Sequence, residues 1–94
     1  MTLKENNEII SLMEKELKLK GYSAKTIKNY LGHVRRFCII SEKNLVDVCQ
    51  DDIRKYFLAL IDIEDRSHSY ISQGLSAVNL LYSKVIKKPE VTFN

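Results

Sequence analysis

Apolar residues recur at helical spacing in four separate stretches of the chain, and polar residues between them mark the turns. The first stretch covers about 6–20 and stops before Gly21, a residue type common at helix C-termini. Its apolar stripe consists of Ile9, Leu12, Met13 and Leu17. The second covers 24–40 and follows Ser23, whose hydroxyl suits an N-cap. Its apolar positions span an arc of about 120° and are Ile27, Tyr30, Leu31, Val34, Phe37 and Cys38.

The third and fourth stretches also predict helices. The third begins near Gln50, and its first turn contains two acids, which favour the positive end of the helix dipole. Its predicted buried stripe is Ile53, Phe57, Leu60 and Ile61, with Tyr56 at the margin. The fourth runs from about His68, behind the N-cap candidate Ser67, to Lys87. Its predicted core face is Ile71, Leu75, Val78, Tyr82 and Val85. The predicted fold class is therefore all-α, a small bundle of four helices.

Composition supports one small globular domain. The 94 residues are 45% hydrophobic and 29% charged, and 3 Gly with 1 Pro are too few for a many-turned β fold. The N-terminal residues 1–8 are polar and acidic, unlike a secretory signal, so a cytoplasmic protein without membrane association is expected. Cys38 and Cys49 are predicted to be reduced, packed thiols. A disulfide or metal pair is the alternative, but no Cys-x-x-Cys or Cys/His cluster supports a metal site.

The modest net charge of +3 hides a strong asymmetry. Residues 23–43 contain five bases and one acid, whereas residues 44–66 contain three bases and six acids. The outer face of the second helix lies opposite its apolar arc and contains no acidic residue. It holds Lys25, Lys28, Asn29, Gly32, Arg35 and Arg36. A helix face of single charge sign favours a polyanion partner, and a chance distribution of charges is the alternative.

The fourth helix presents small polar side chains on the face opposite its core positions. These are Ser69, Ser72, Gln73 and Ser76. Hydroxyl and amide groups there suit phosphate and base-edge contacts, and they equally suit plain solvation. Gly32 could let a nucleic-acid backbone approach, whereas a close helix–helix crossing is the alternative for both Gly32 and Gly74. His33, at the edge of the basic face, and His68, in a first helical turn, are predicted to be surface residues.

One segment resembles a known family. Residues 21–31 with the following Arg-Arg-Phe are similar to the Ser-x-x-Thr-x-x-x-Tyr-x-x-x-Leu-x-x-Phe pattern of the N-terminal core-binding domain of tyrosine recombinases, the phage integrases. The chain keeps Ser23, Thr26, Tyr30 and Phe37, and Val34 takes the Leu position. Segments 47–56, 67–78 and 86–89 resemble later parts of that domain, with Cys49 in place of the usual Thr or Ser cap. The resemblance covers about residues 8–90.

The resemblance implies a SAM-like bundle whose second and fourth helices face duplex DNA. It implies that residues 1–88 form the core-binding domain and that 89–94 begin a linker to a catalytic domain. Four candidates for phosphate contact follow, Lys25, Lys28, Arg35 and Arg36. Five candidates for phosphate or base-edge contact are Asn29, Ser69, Ser72, Gln73 and Ser76.

Catalytic residues, metals and cofactors are not expected in this chain. The family's reaction requires an Arg/Lys/His constellation and a nucleophilic Tyr from a separate domain. The tyrosines here, Tyr22, Tyr30, Tyr56, Tyr70 and Tyr82, occupy helical or cap positions. The implied partner is double-stranded DNA, in DNA integration and recombination, with this chain monomeric and the full-length recombinase tetrameric on paired sites. The alternative is a helical protein–protein interaction module with Leu58 or Leu80 as an apolar anchor.

Overall fold

Four α-helices make up most of the computed structural model, which describes residues 2–92 and the side chains of residues 5–92. They are α1 (Thr2–Leu19), α2 (Ala24–Ser41), α3 (Gln50–Asp62) and α4 (His68–Leu80). The described part of the chain contains no strand. The predicted all-α bundle of four helices is thereby confirmed.

The turn between α1 and α2 has the predicted end signals. Gly21 adopts a left-handed conformation with φ of 82°. The amide of Tyr22 donates to the carbonyl of Leu17 at 3.1 Å, and that of Gly21 donates to Lys18, also at 3.1 Å. This pair of bonds is the Schellman arrangement, and it satisfies carbonyls that would otherwise lack a partner. The Ser23 hydroxyl then accepts from an amide of the first turn of α2 at 3.2 Å.

The start of α3 corrects the expectation that the Cys49 thiol is packed. A Cys is a weak N-cap, but the carboxylate of Asp52 accepts hydrogen bonds from the Cys49 amide at 3.0 Å and from its thiol at 3.3 Å. Asp52 therefore supplies the contact that a capping-box acid makes. The Cys49 thiol is exposed rather than packed, because this end of α3 faces solvent. Cys38 is partly buried as predicted, and burial raises the pKa of its thiol to about 11.

The core lies between α2, its neighbours α1 and α4, and the inner face of α3. The predicted stripes are broader than the surface that neighbouring helices cover. Leu12 is 54% exposed and Ile61 is 47% exposed, so both predictions of burial are wrong. Tyr56, placed at the margin of α3 by its position, is buried against the ring of Phe37 at 5.1 Å between centroids.

The connection between α2 and α3 is held by buried polar side chains. Asn6 is 3% exposed, and its amide accepts from the Leu45 backbone at 2.9 Å and donates to the Lys43 carbonyl at 3.0 Å. The Tyr82 hydroxyl donates to the carbonyl of Leu45 at 2.8 Å. The first helix begins at Thr2, earlier than the predicted start near residue 6, and Asn6 lies on its buried face.

The end of the fourth helix differs from the prediction of one helix through Lys87. The α-helix ends at Leu80, and a π-helical turn follows over Leu81–Val85. A short 3-10 turn over Pro89–Val91 then returns to the bundle, where Val91 is 4% exposed. Val91 thus packs against the domain, whereas Pro89 and Glu90 are exposed. The expected linker over 89–94 stays a prediction, and its residues 93–94 lie outside the described residues. None of the helices over residues 2–92 is long and apolar enough to cross a membrane.

Candidate nucleic-acid interface

The outer face of α2 is exposed along most of its length. Lys25, Lys28, Asn29 and Arg35 are all exposed to solvent. At 100° per residue, Lys28 and Arg35 fall on the side of α2 next to α1, and Asn29 falls on the side next to α4. The face therefore has two polar edges, one beside each neighbouring helix.

Three cations on this face make no ion pair with any described residue, and they are Lys25, Lys28 and Arg35. The other helices show the contrasting pattern. Lys18 of α1 pairs with Glu14 at 3.5 Å, and Lys55 of α3 pairs with Asp51 at 3.7 Å. Because α2 contains no acid, it has no i,i+4 partner to offer its own cations. The positive charge on this face is thus available to an external anion.

A groove of about 420 Å³ runs between α1 and α2 beside this face. Lys28 and Arg35 line one side of it, and Lys18 and Tyr22 line the other. The Tyr22 ring packs against the Tyr30 ring of α2 in a tilted arrangement, with 5.8 Å between the ring centroids. The groove lining therefore combines an aromatic ring and the Glu14–Lys18 ion pair with two cations that have no ion pair among the described residues.

Arg36 departs from the acid-free face predicted for α2. Its Nη2 lies 2.6 Å from both carboxylate oxygens of Glu64, in the turn after α3. The same carboxylate accepts from Arg66 Nε at 3.1 Å. Burial would raise the pKa of Glu64, but the hydrogen bonds and charges of Arg66 and Arg36 keep it below its ordinary value. Arg36 is thus neutralised by a residue from the acidic segment, which folding brings to the basic helix.

A series of side-chain contacts continues from this ion pair onto α4. The Arg66 guanidinium lies over the Tyr70 ring at 4.8 Å, and that ring contacts the His33 imidazole at 4.7 Å between centroids. Cation–π and ring contacts of this kind restrict the side chains that make them. These contacts link the turn before α4 with the middle of α2.

His33 is buried, which corrects its prediction as a surface residue. It is 6% exposed, and its Nε2 lies 3.0 Å from Gln73 Oε1 of α4. Its wheel position at the edge of the basic arc faces α4 rather than solvent, because α4 crosses α2 there. Gln73, a candidate for DNA contact, is half-buried and has its amide oxygen occupied by this bond.

The two interior glycines have different environments. A Cβ atom at Gly74 would lie 2.9 Å from Phe57 Cε1 and 3.1 Å from His33 Nδ1, so this glycine permits a close crossing of α4. A Cβ atom at Gly32 would meet nothing within 4 Å. Of the two roles considered for these residues, the helix crossing therefore applies to Gly74, and Gly32 leaves an open gap in the basic face.

The outer face of α4 carries the remaining candidates. Ser69, Ser72 and Ser76 are exposed, and the Ser72 hydroxyl lies 3.4 Å from His68 Nδ1. The polar faces of α2 and α4 meet where Gln73 is hydrogen-bonded to His33, and we call this line of contact the α2–α4 seam. No group of three or more His, Cys, Asp or Glu side chains among the described residues is arranged to hold a metal ion.

Folding brings Gln73 of α4 against the edge of α2 and places three further residues beside the candidate surface. The additions are Glu64, Arg66 and His33, which join the candidate surface through contacts between elements. One signal was present for the first two, since an acid and a base two residues apart precede the N-cap of α4. For His33, the position at the edge of the basic arc did not indicate whether the side chain faces solvent or a neighbouring helix.

Comparison with known proteins assigns the chain to one class. The family of phage integrase N-terminal SAM-like domains matches residues 9–90. The chain belongs to this family, and its all-α architecture agrees with that assignment. No curated protein and no solved structure matches it.

Proposed function

We propose that this domain binds double-stranded DNA through the outer face of α2 and the adjoining polar face of α4. The observation that carries the proposal is the set of three exposed cations, Lys25, Lys28 and Arg35, without an ion-pair partner among the described residues. Phosphate contacts supply most of the affinity of such surfaces and fix the protein's register on the duplex. The family assignment agrees with a nucleic-acid partner.

The chemistry of the side chains determines which of them contact phosphates and which reach base edges. Lys and Arg groups on α2 contact phosphates, whereas Asn29 and the serines of α4 reach phosphate oxygens or base edges in the major groove. In a full-length tyrosine recombinase, this domain would clamp one side of the duplex, and the catalytic residues would come from a separate domain. Binding by the domain alone is weak and falls steeply with salt, because few phosphates are neutralised.

The test is a salt titration of duplex binding, measured by fluorescence anisotropy on a labelled DNA. A double variant, Lys28→Gln with Arg35→Gln, removes two unpaired cations from the proposed face. We expect the slope of log affinity against log salt to shrink by about 1.8, at roughly 0.9 per phosphate contact. The matched control, Lys15→Gln with Lys55→Gln, removes two exposed cations from α1 and α3 and should leave the slope near that of the unmodified chain. Equal losses in both double variants would contradict the assignment of this face.

The alternative, a protein–protein interaction module, is favoured by one observation. An apolar groove of about 220 Å³ lies between α3 and α4, lined in part by Leu58, Ile61 and Leu75, and Leu58 is 49% exposed. Leu80, the other anchor considered, packs partly buried against the core and is poorly placed for that role. The same titration separates the two functions, because an interaction module would show no salt-dependent affinity for duplex DNA.

A further inference from the structure

Two guanidinium groups converge on one carboxylate at the edge of the α2–α4 seam. Arg36 Nη2 lies 2.6 Å from each oxygen of Glu64, and Arg66 Nε lies 3.1 Å from one of them. The three side chains remain partly open to solvent, with exposures of 33% for Arg36, 31% for Glu64 and 40% for Arg66. An anion from solution can therefore reach this cluster.

The arrangement has the chemistry of a phosphate site. Guanidinium groups offer planar, paired donors that fit a carboxylate or a phosphate equally well, and such charge-assisted bonds are short. The carboxylate of Glu64 therefore stands where an oxyanion of a ligand could stand. Arg36 belongs to the outer face of α2, so this position is continuous with the surface proposed to face DNA.

The Arg66 side chain has a contact that does not involve Glu64, and Arg36 has a donor that Glu64 does not use. The Arg66 guanidinium rests on the Tyr70 ring, and the Arg66 backbone amide donates to Leu60 at 3.0 Å. Arg36 extends from α2, and its Nε is buried without a hydrogen-bond partner, so this donor is not used by Glu64. Glu64, in contrast, belongs to the exposed turn between α3 and α4. Its side chain can turn toward solvent while Arg66 keeps its contact with the Tyr70 ring.

We infer that Arg36 and Arg66 form a phosphate-binding site, which Glu64 occupies in the free domain and which a backbone phosphate of DNA takes over on binding. This inference rests on the proposed function. It adds Arg66 to the proposed DNA surface. It also makes Glu64 an internal competitor of the DNA phosphate. Glu64 lowers affinity for polyanions without taking part in the core.

The experiment compares two acid-to-amide variants that change the net charge equally. Glu64→Gln weakens the internal competitor, whereas Asp65→Asn neutralises the next residue, which makes no ion pair with the described residues. Asp65 has φ of 52°, a conformation that Asn also tolerates, so the control preserves the turn. We expect Glu64→Gln to tighten duplex binding about tenfold at low salt, and Asp65→Asn about twofold through the general field alone. Equal effects of the two variants would overturn the inference.

A third variant and a second ligand complete the design. Adding Arg66→Gln to Glu64→Gln should return the affinity to that of the unmodified chain or below it. Titration of Glu64→Gln with inorganic phosphate should shift the NMR signals of the Arg36 and Arg66 Nε–H groups, and no shift would overturn the site even if DNA binds. If phosphate shifts these signals but no variant binds duplex DNA, the site stands and the proposed function fails.

Discussion

His33 Nε2 lies 3.0 Å from Gln73 Oε1, so that one hydrogen bond ties the edge of the basic helix α2 to the polar face of α4. The imidazole is 6% exposed and is covered by the Tyr70 ring. A polar side chain in such a position is stabilising only while its partner is present. This pair therefore aligns the two helices that carry the proposed DNA surface.

The energetic coupling of this pair can be measured by a double-mutant cycle. His33→Leu and Gln73→Leu each leave one polar group without its partner, and we expect each to lower the free energy of unfolding by about 1–2 kcal/mol. The double variant should cost less than the sum of the two, with a coupling of about 1 kcal/mol. Urea denaturation followed by circular dichroism gives all four values. Strict additivity would show that the bond contributes nothing to stability.

The different environments of Gly32 and Gly74 predict opposite effects of an alanine substitution on stability. Gly74→Ala would place a methyl group 2.9 Å from Phe57 Cε1, and overpacking of this kind costs about 1–3 kcal/mol. Gly32→Ala meets open space on an exposed helix face, so it should stabilise the domain by about 0.5–1 kcal/mol. Thermal denaturation of both variants is the measurement. A stabilised Gly74→Ala variant would contradict the close crossing of α4 over α3 and α2.

Gly32→Ala also tests the proposed DNA surface, because this glycine leaves a gap between the cations of α2. If the variant is more stable yet binds duplex DNA less tightly, the gap serves close approach of the DNA backbone. Unchanged affinity would assign Gly32 no part in binding.

Acid should weaken the connection between α2 and α3 through Asp52. Hydrogen bonds from the Cys49 amide and the Lys43 ammonium lower the pKa of this carboxyl to about 2, from 3.8 for an ordinary Asp. Because the folded-state pKa is depressed, the stabilisation is complete above about pH 5 and is lost as the pH falls through 4 toward 2. Asp52→Ala should cost about 1 kcal/mol at neutral pH and should flatten this part of the stability–pH curve.

Asp51→Ala is the matched control for that curve. Asp51 lies in the same first turn, but its side chain is 62% exposed and pairs only with Lys55 at 3.7 Å. It should change stability by no more than about 0.5 kcal/mol and leave the acid-dependent slope in place. If both variants flatten the slope equally, the helix dipole rather than the Asp52 contacts accounts for the pH dependence.

Helix number and most helix ends could be predicted because they depend on local chemistry. Ser23 and Ser67 accept amide hydrogen bonds as N-caps, and Gly21 ends α1 in a left-handed conformation, as their types and positions indicated. Each of these interactions joins residues a few positions apart. The sequence by itself therefore determined the all-α class, the order of the helices and the face of α2 on which Lys25 and Lys28 are exposed.

Tertiary structure alone decided which of those charges remain unpaired and which polar side chains are buried. Arg36 meets Glu64 across 28 positions of sequence, and Asn6 reaches the Leu45 amide across 39. A helical wheel contains no information on what packs against its edges, so it placed His33 at the surface and Ile61 in the core. The physical reason is that burial and ion pairing depend on the neighbouring element, and which residues far apart in sequence become neighbours is decided only when the helices pack together.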